Sequence, residues 1–147
     1  MIEFTTIVKR LTVILPLLLV VGLAACDQSD ENEEGALFLV RACAGSDESA
    51  AGQTFHVLVR DPGVIAEARQ LINSGEQRII NGRLRRGDGG FNEPWAWHID
   101  PDSISFADFT IELCDGCPGH IEDDLDYWVD TVKNYCPWST EIISRER

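Results

Sequence analysis

The chain has 147 residues, 44% of them hydrophobic and 25% charged, and carries a net charge of −13 at neutral pH with its three histidines uncharged. So acidic a surface repels phosphate backbones and anionic lipid headgroups, which sets aside nucleic acid as a partner and membrane binding through the folded surface itself. The length leaves room for one domain of ordinary size with a real core.

The first segment places Lys9-Arg10 before a largely apolar run from Leu11 to Gly22, followed by Leu23-Ala24-Ala25-Cys26. The run is too short to cross a bilayer, which needs about 20 apolar residues. Pro16 in its middle would also break a spanning helix by removing a backbone donor. It fits the apolar core of a cleavable signal, and the small residues before cysteine resemble a bacterial lipoprotein signal. That resemblance implies cleavage before Cys26, whose thiol and new amino terminus then carry acyl chains, palmitate among them. An ordinary secretory signal cut near Ala25 is the rival reading. Asp27, next to the lipidated cysteine, is associated with retention at the inner membrane.

Loss of residues 1–25 removes Lys9, Arg10 and Glu3, so the mature charge is −14. Residues 26–35 are then a lipidated acidic tether, because Asp27 to Gly35 contains no apolar side chain to offset the entropy of ordering. Residues 36–147 form the folded domain. Beyond Cys26 it holds Cys43, Cys114, Cys117 and Cys136. An even number in an extracytoplasmic domain points to disulfides, with three connectivities open.

Ala36 to Val40 reads as a buried strand, and Gly45 to Gly52 as a turn-forming loop. Thr54 to Val59 follows as a second strand, hairpinned with the first. Asp61-Pro62 provides an N-cap and a first-turn proline, and Val64, Ile65, Ala68, Leu71 and Ile72 make one helix face that ends near Ser74-Gly75. Arg78 to Arg85 reads as a strand bent at Gly82, and Arg86 to Gly90 as a loop. Trp95 to Ile99 and Phe109 to Cys114 alternate as half-buried strands do. A second helix is predicted from about His120 to Lys133, with Ile121, Leu125, Trp128, Val129 and Val132 inward. Glu141 to Ile143 adds a last strand. The fold class is α+β, a mainly antiparallel sheet with two helices packed on it, bridged by disulfides.

Several fragments belong together: Arg60-Asp61-Pro62 with Ile65 and Ala68-Arg69, Ile80-Asn81-Gly82-Arg83, Asn92 with Trp95-Ala96-Trp97-His98-Ile99-Asp100-Pro101, Glu112-Leu113-Cys114-Asp115, and Cys136-Pro137-Trp138-Ser139. Across Thr54 to Ser144 they resemble a family of small secreted domains, common in bacteria, named for the N-terminal domain of a calmodulin-binding protein. The family has no established activity, so the resemblance implies fold and secretion rather than function. It implies a Cys114–Cys136 bridge, with Cys43 and Cys117 as an added pair. Calmodulin binding is not expected to transfer, since calmodulin targets are usually basic amphipathic helices and neither helix here is basic.

Four constellations carry candidate chemistry. Cys114-Asp115-Gly116-Cys117 has the spacing of a redox pair, and with His120 and Cys136 that of a zinc site; against both stands the reading that the two cysteines serve separate bridges. Trp95, Trp97, His98 and Asp100 form either a binding surface or an acid–base site, against the plainer reading of a core tryptophan pair with a satisfied histidine. Asp100 to Asp108 lacks the ligand, glycine and closing glutamate of a calcium loop and reads as a turn with a short strand. Arg78, Arg83, Arg85 and Arg86 make a basic cluster on an acidic chain, either a solvated strand face or a dock for an acidic partner. No nucleophile elbow, phosphate loop or metalloprotease motif accompanies them, no catalytic residue is assigned, and no cofactor or metal is implied.

The sequence therefore leads to a membrane-anchored extracytoplasmic lipoprotein, held to the bilayer through Cys26 and facing the periplasm or exterior. Its domain is expected to be a non-catalytic module for an unidentified protein or small ligand. The competing reading is an extracytoplasmic enzyme, a thiol–disulfide oxidoreductase through Cys114 and Cys117 or an acid–base catalyst at His98 and Asp100.

Overall fold

The computed structural model describes residues 35–45 and 52–147. The signal segment, Cys26, Asp27, nearly all of the tether and the middle of the Gly45–Gly52 loop lie outside the described residues. None of the described helices is long and apolar enough to cross a membrane.

Strand β1 (Ala36–Ala42) buries Ala36, Phe38, Val40 and Ala42 on one face. It pairs antiparallel with β2 (Gln53–Val59), Ala36 opposite Val59 and Ala42 opposite Gln53, the hairpin that the two apolar runs predict. Helix α1 (Pro62–Ser74) starts as its cap residues require. The Asp61 carboxylate accepts from the N–H groups of Gly63 and Val64, and Pro62 occupies the first turn where no donor is needed. Ile65, Ala68 and Leu71 face inward, and Gly75 closes the helix with a left-handed φ of 69°.

Strand β3 (Ile79–Arg86) organises a second sheet. Its first third pairs with β5 (Ser105–Ala107) and its last third with β4 (Trp97–Ile99), all antiparallel. Between them the Pro101–Ser103 turn takes up the step in register, with Asp100 N–H on the Arg83 carbonyl and Arg83 N–H on the Ser103 hydroxyl. At this step Gly82 has no room for a side chain: a Cβ there would lie 2.3 Å from Ile99 Cγ2.

The predicted strand over Phe109–Cys114 does not form. The strand after the Pro101 turn is β5, and the chain then bends at Asp108 and continues without ladder pairing, extended at Ile111, to a single 3₁₀ turn, Glu112–Cys114. The second helix is also different from its prediction. It begins earlier, as α2 (Pro118–Asp123), breaks at Asp124 with φ −139° and ψ 64°, and resumes in a π-helical turn, Tyr127–Val132. A Lys133 N–H to Trp128 carbonyl bond of 2.7 Å closes that wide turn, which sets both Trp128 and Val132 against the core. A two-residue strand, β6 (Asn134–Tyr135), pairs with Gly82 and Arg83. Strand β7 (Thr140–Arg145) returns to β1, so the first sheet has the order β2-β1-β7.

Among the described residues every strand pairing is antiparallel, and two bridges, Cys43–Cys117 and Cys114–Cys136, cross-link an α+β fold. The buried polar residues Asn92 and Thr140 join the two sheets. Asn92 accepts from His56 N–H of β2 at 2.7 Å and donates to the Trp97 carbonyl of β4 at 2.8 Å. The Thr140 hydroxyl at the start of β7 accepts from Ile80 N–H and donates to the Arg78 carbonyl. Each satisfies main-chain groups that burial would otherwise leave unpaired, a loss of roughly 1–3 kcal/mol per group.

Candidate functional site

Trp97 is not a surface residue. It is 0% exposed, and its ring sits 5.5 Å from those of Phe55 and Tyr135. Trp95 precedes β4, half-buried, 5.9 Å from Trp97, with its indole N–H donating to the Thr54 carbonyl. Tyr135 completes the cluster beside Trp128, and its hydroxyl donates to the Gly116 carbonyl at 2.9 Å. Burial raises that hydroxyl well above the ordinary phenol range. Gly116 is required here because a Cβ would press on the Trp128 ring at 2.9 Å.

His98 lies on β4 and Asp100 just beyond its end, and the two side chains make no bond with each other. The His98 Nδ1 lies 2.6 Å from the Gly87 carbonyl, and the ring packs edge-on with Phe91. Asp100 accepts from two Arg85 nitrogens at 3.1 and 2.8 Å, and the Arg85 bond holds its carboxyl below the usual range. Both groups of the expected acid–base pair are thus committed to structural partners.

The four cysteines are consumed by two bridges that separate Cys114 from Cys117, so neither a CxxC disulfide nor a four-ligand zinc set forms from them. Among the described residues no cluster of His, Cys, Asp and Glu is arranged to hold a metal ion. The basic cluster is neutralised locally. Arg78 meets Glu67 and Asp108, Arg83 and Arg85 meet Asp100, and Arg86 bridges Asp126 and Asp130.

A different surface stands out. Phe109 is 86% exposed, Ile111 67%, Leu113 57% and Trp138 49%. The first three alternate along one short stretch of chain. The fourth lines a groove of about 280 Å³ with Phe109, Ile79, Asp108 and Thr110. The segment is pinned along its length rather than loose. Asp108 lies 2.9 Å from Arg78, the Thr110 hydroxyl donates to the Cys136 carbonyl, and Asp115 accepts from Trp138 N–H. The Cys114–Cys136 bridge and a 2.8 Å bond from Cys136 N–H to the Cys114 carbonyl complete the attachment. The N–H groups of Phe109, Thr110 and Ile111 and the carbonyls of Phe109 and Thr110 make no backbone hydrogen bond among the described residues.

A family model, the BP-74 N-terminal domain, matches residues 40–147. The chain belongs to that family. No curated protein matches the chain, and neither does any solved structure. The family match takes in all four bridged cysteines and the whole Phe109–Trp138 face.

The sequence signal for that face was present in Phe109-Thr110-Ile111-Glu112-Leu113, whose period-two alternation implies one apolar side. Alternation does not say whether that side meets the core or solvent. Chemically the face offers apolar contact area and unpaired main-chain donors and acceptors, and the neighbouring Glu112 carboxylate lines a separate hollow with Cys43 and His120.

Proposed function

We propose that this chain is an exported lipoprotein, anchored through acyl chains on Cys26, whose folded domain acts as a non-catalytic binding module. The carrying observation is the exposure of Phe109, Ile111, Leu113 and Trp138, with Phe109 and Trp138 lining one groove, on an otherwise acidic, cross-linked domain. Soluble proteins seldom leave grouped large apolar side chains in water without a partner for them, and tryptophan is prominent among residues that dominate binding energy. Two bridges suit an oxidising compartment, as the Leu23-Ala24-Ala25-Cys26 signal requires. The engagement of His98, Asp100, Cys114 and Cys117 in structural contacts favours binding over catalysis.

Anchoring is tested by intact-mass analysis of protein extracted from membranes. The expected species starts at Cys26 and carries acyl mass, and an unmodified Cys26 overturns the anchor. Binding is tested by placing a photo-crosslinking side chain at position 109 or at position 98 in cells. Adducts from 109 alone are expected; adducts from 98 alone, or from neither, overturn the assigned surface.

A further inference from the structure

We infer that the Phe109–Leu113 face takes an extended partner segment in which cationic and apolar side chains alternate, added edge-on to the free main chain of Phe109–Ile111. This rests on the binding reading above and names its partner class. The backbone supplies the first argument. Phe109 and Ile111 point outward while Thr110 is tied to Cys136, and the main-chain groups between them are unpaired among the described residues. An extended segment with free donors and acceptors is a template for one more strand, with side chains read in alternation. The groove between Phe109 and Trp138 would receive one apolar side chain.

Charge chooses among occupants. Asp108, Glu112 and Asp115 interleave with the apolar residues, and Glu112 has no side-chain partner among the described residues. The chain's own tether, Asp27 to Gly35, is acidic and has nothing apolar to place in the groove. A second copy would set the same carboxylates against themselves on a mature chain of net charge −14. An anionic bilayer is repelled for the same reason. A lysine- or arginine-bearing strand meets both the apolar and the acidic elements.

The test uses the full chain and a short fluorescein-labelled peptide alternating lysine and valine. Binding is expected, weakening as salt is raised. It should fall at least about tenfold for F109A and for W138A, as for loss of a hot-spot contact. The same loss is expected with a glutamate–valine peptide and with a lysine–valine peptide N-methylated at alternate positions. Unchanged thermal unfolding of F109A keeps the comparison clean. Equal binding of the glutamate–valine peptide, or undiminished binding of the N-methylated one, overturns the inference. So does Phe109-dependent binding to phosphatidylcholine vesicles or Phe109-dependent self-association without peptide binding, and that result leaves the binding-module reading standing. Absence of Phe109-dependent binding to peptide, vesicle and second copy overturns both.

Discussion

Trp95 to Ile99 and Phe109 to Leu113 carry the same alternating pattern and meet opposite ends. In the first, Trp97 and Ile99 are wholly buried and the strand pairs with β3. In the second, the alternate residues stand in water. The difference lies in the neighbour. Strand β3 begins at Ile79, whose partner is Ala107, so residues beyond Asp108 have no ladder to join. Arg78 turns to bond the Asp108 carboxylate at that point. Alternation therefore fixes which side of a strand is apolar; the reach of the adjacent strand fixes whether that side is covered.

The contrast can be broken or sharpened by measurement, beginning with the heaviest expected loss. Trp97→Ala should cost about 3–5 kcal/mol in denaturant unfolding, as for other buried aromatic truncations; a loss below about 1 kcal/mol would place Trp97 outside the core. Replacing Cys114 and Cys136 together by serine should cost about 3 kcal/mol through the released loop. Hydrogen exchange should then rise first at the bonded amides beside the bridge, Asp115, Cys136 and Trp138, and unchanged protection there would show that the bridge does not hold the exposed face. Asn92→Ala, which orphans His56 N–H and the Trp97 carbonyl, should cost about 2–3 kcal/mol. Its crystal structure should show β2 and β4 moved apart.

A smaller effect is expected at the end of the buried strand. The Asp100 carboxyl is held below its ordinary value of 3.8 by Arg85, so its contribution is present above that pH and lost as pH falls through the depressed folded value. The stability gap between Arg85→Ala and the unaltered chain should therefore be open at neutral pH and close in acid. A gap that stays constant to low pH would remove the carboxylate from the account. Least of all, Phe109→Ala should change stability by no more than about 0.5 kcal/mol; a core-sized loss would mean that the face is covered within the molecule.

Much of the fold could be read directly from residues whose roles are local. Asp61-Pro62 starts α1, Gly75 ends it, and the two apolar runs from Ala36 and Thr54 pair as a hairpin. The bridges join Cys114 with Cys136 and Cys43 with Cys117, the pairing the family resemblance implies. What escaped depends on distant geometry. The π turn at Tyr127–Val132 arises where two inward side chains must be accommodated against a core that the helix pattern does not specify. Strand β6 is two residues long and exists only because Gly82 and Arg83 lie beside it. The exposed face escapes for a related reason. Residue type marks Trp97, which is buried, whereas Phe109 and Trp138 stand out by exposure, which no residue type encodes.

Strand β1 begins one residue after the tether, yet its second neighbour is β7, and Leu37 exchanges main-chain bonds with Glu146 and Arg147. Cys43 likewise waits 74 residues for Cys117. In a chain exported N-terminus first, as proposed above, the earliest strand to emerge stays half-paired until the last has followed it. On that proposal the β2-β1-β7 sheet is completed last, once Thr140–Arg145 has followed.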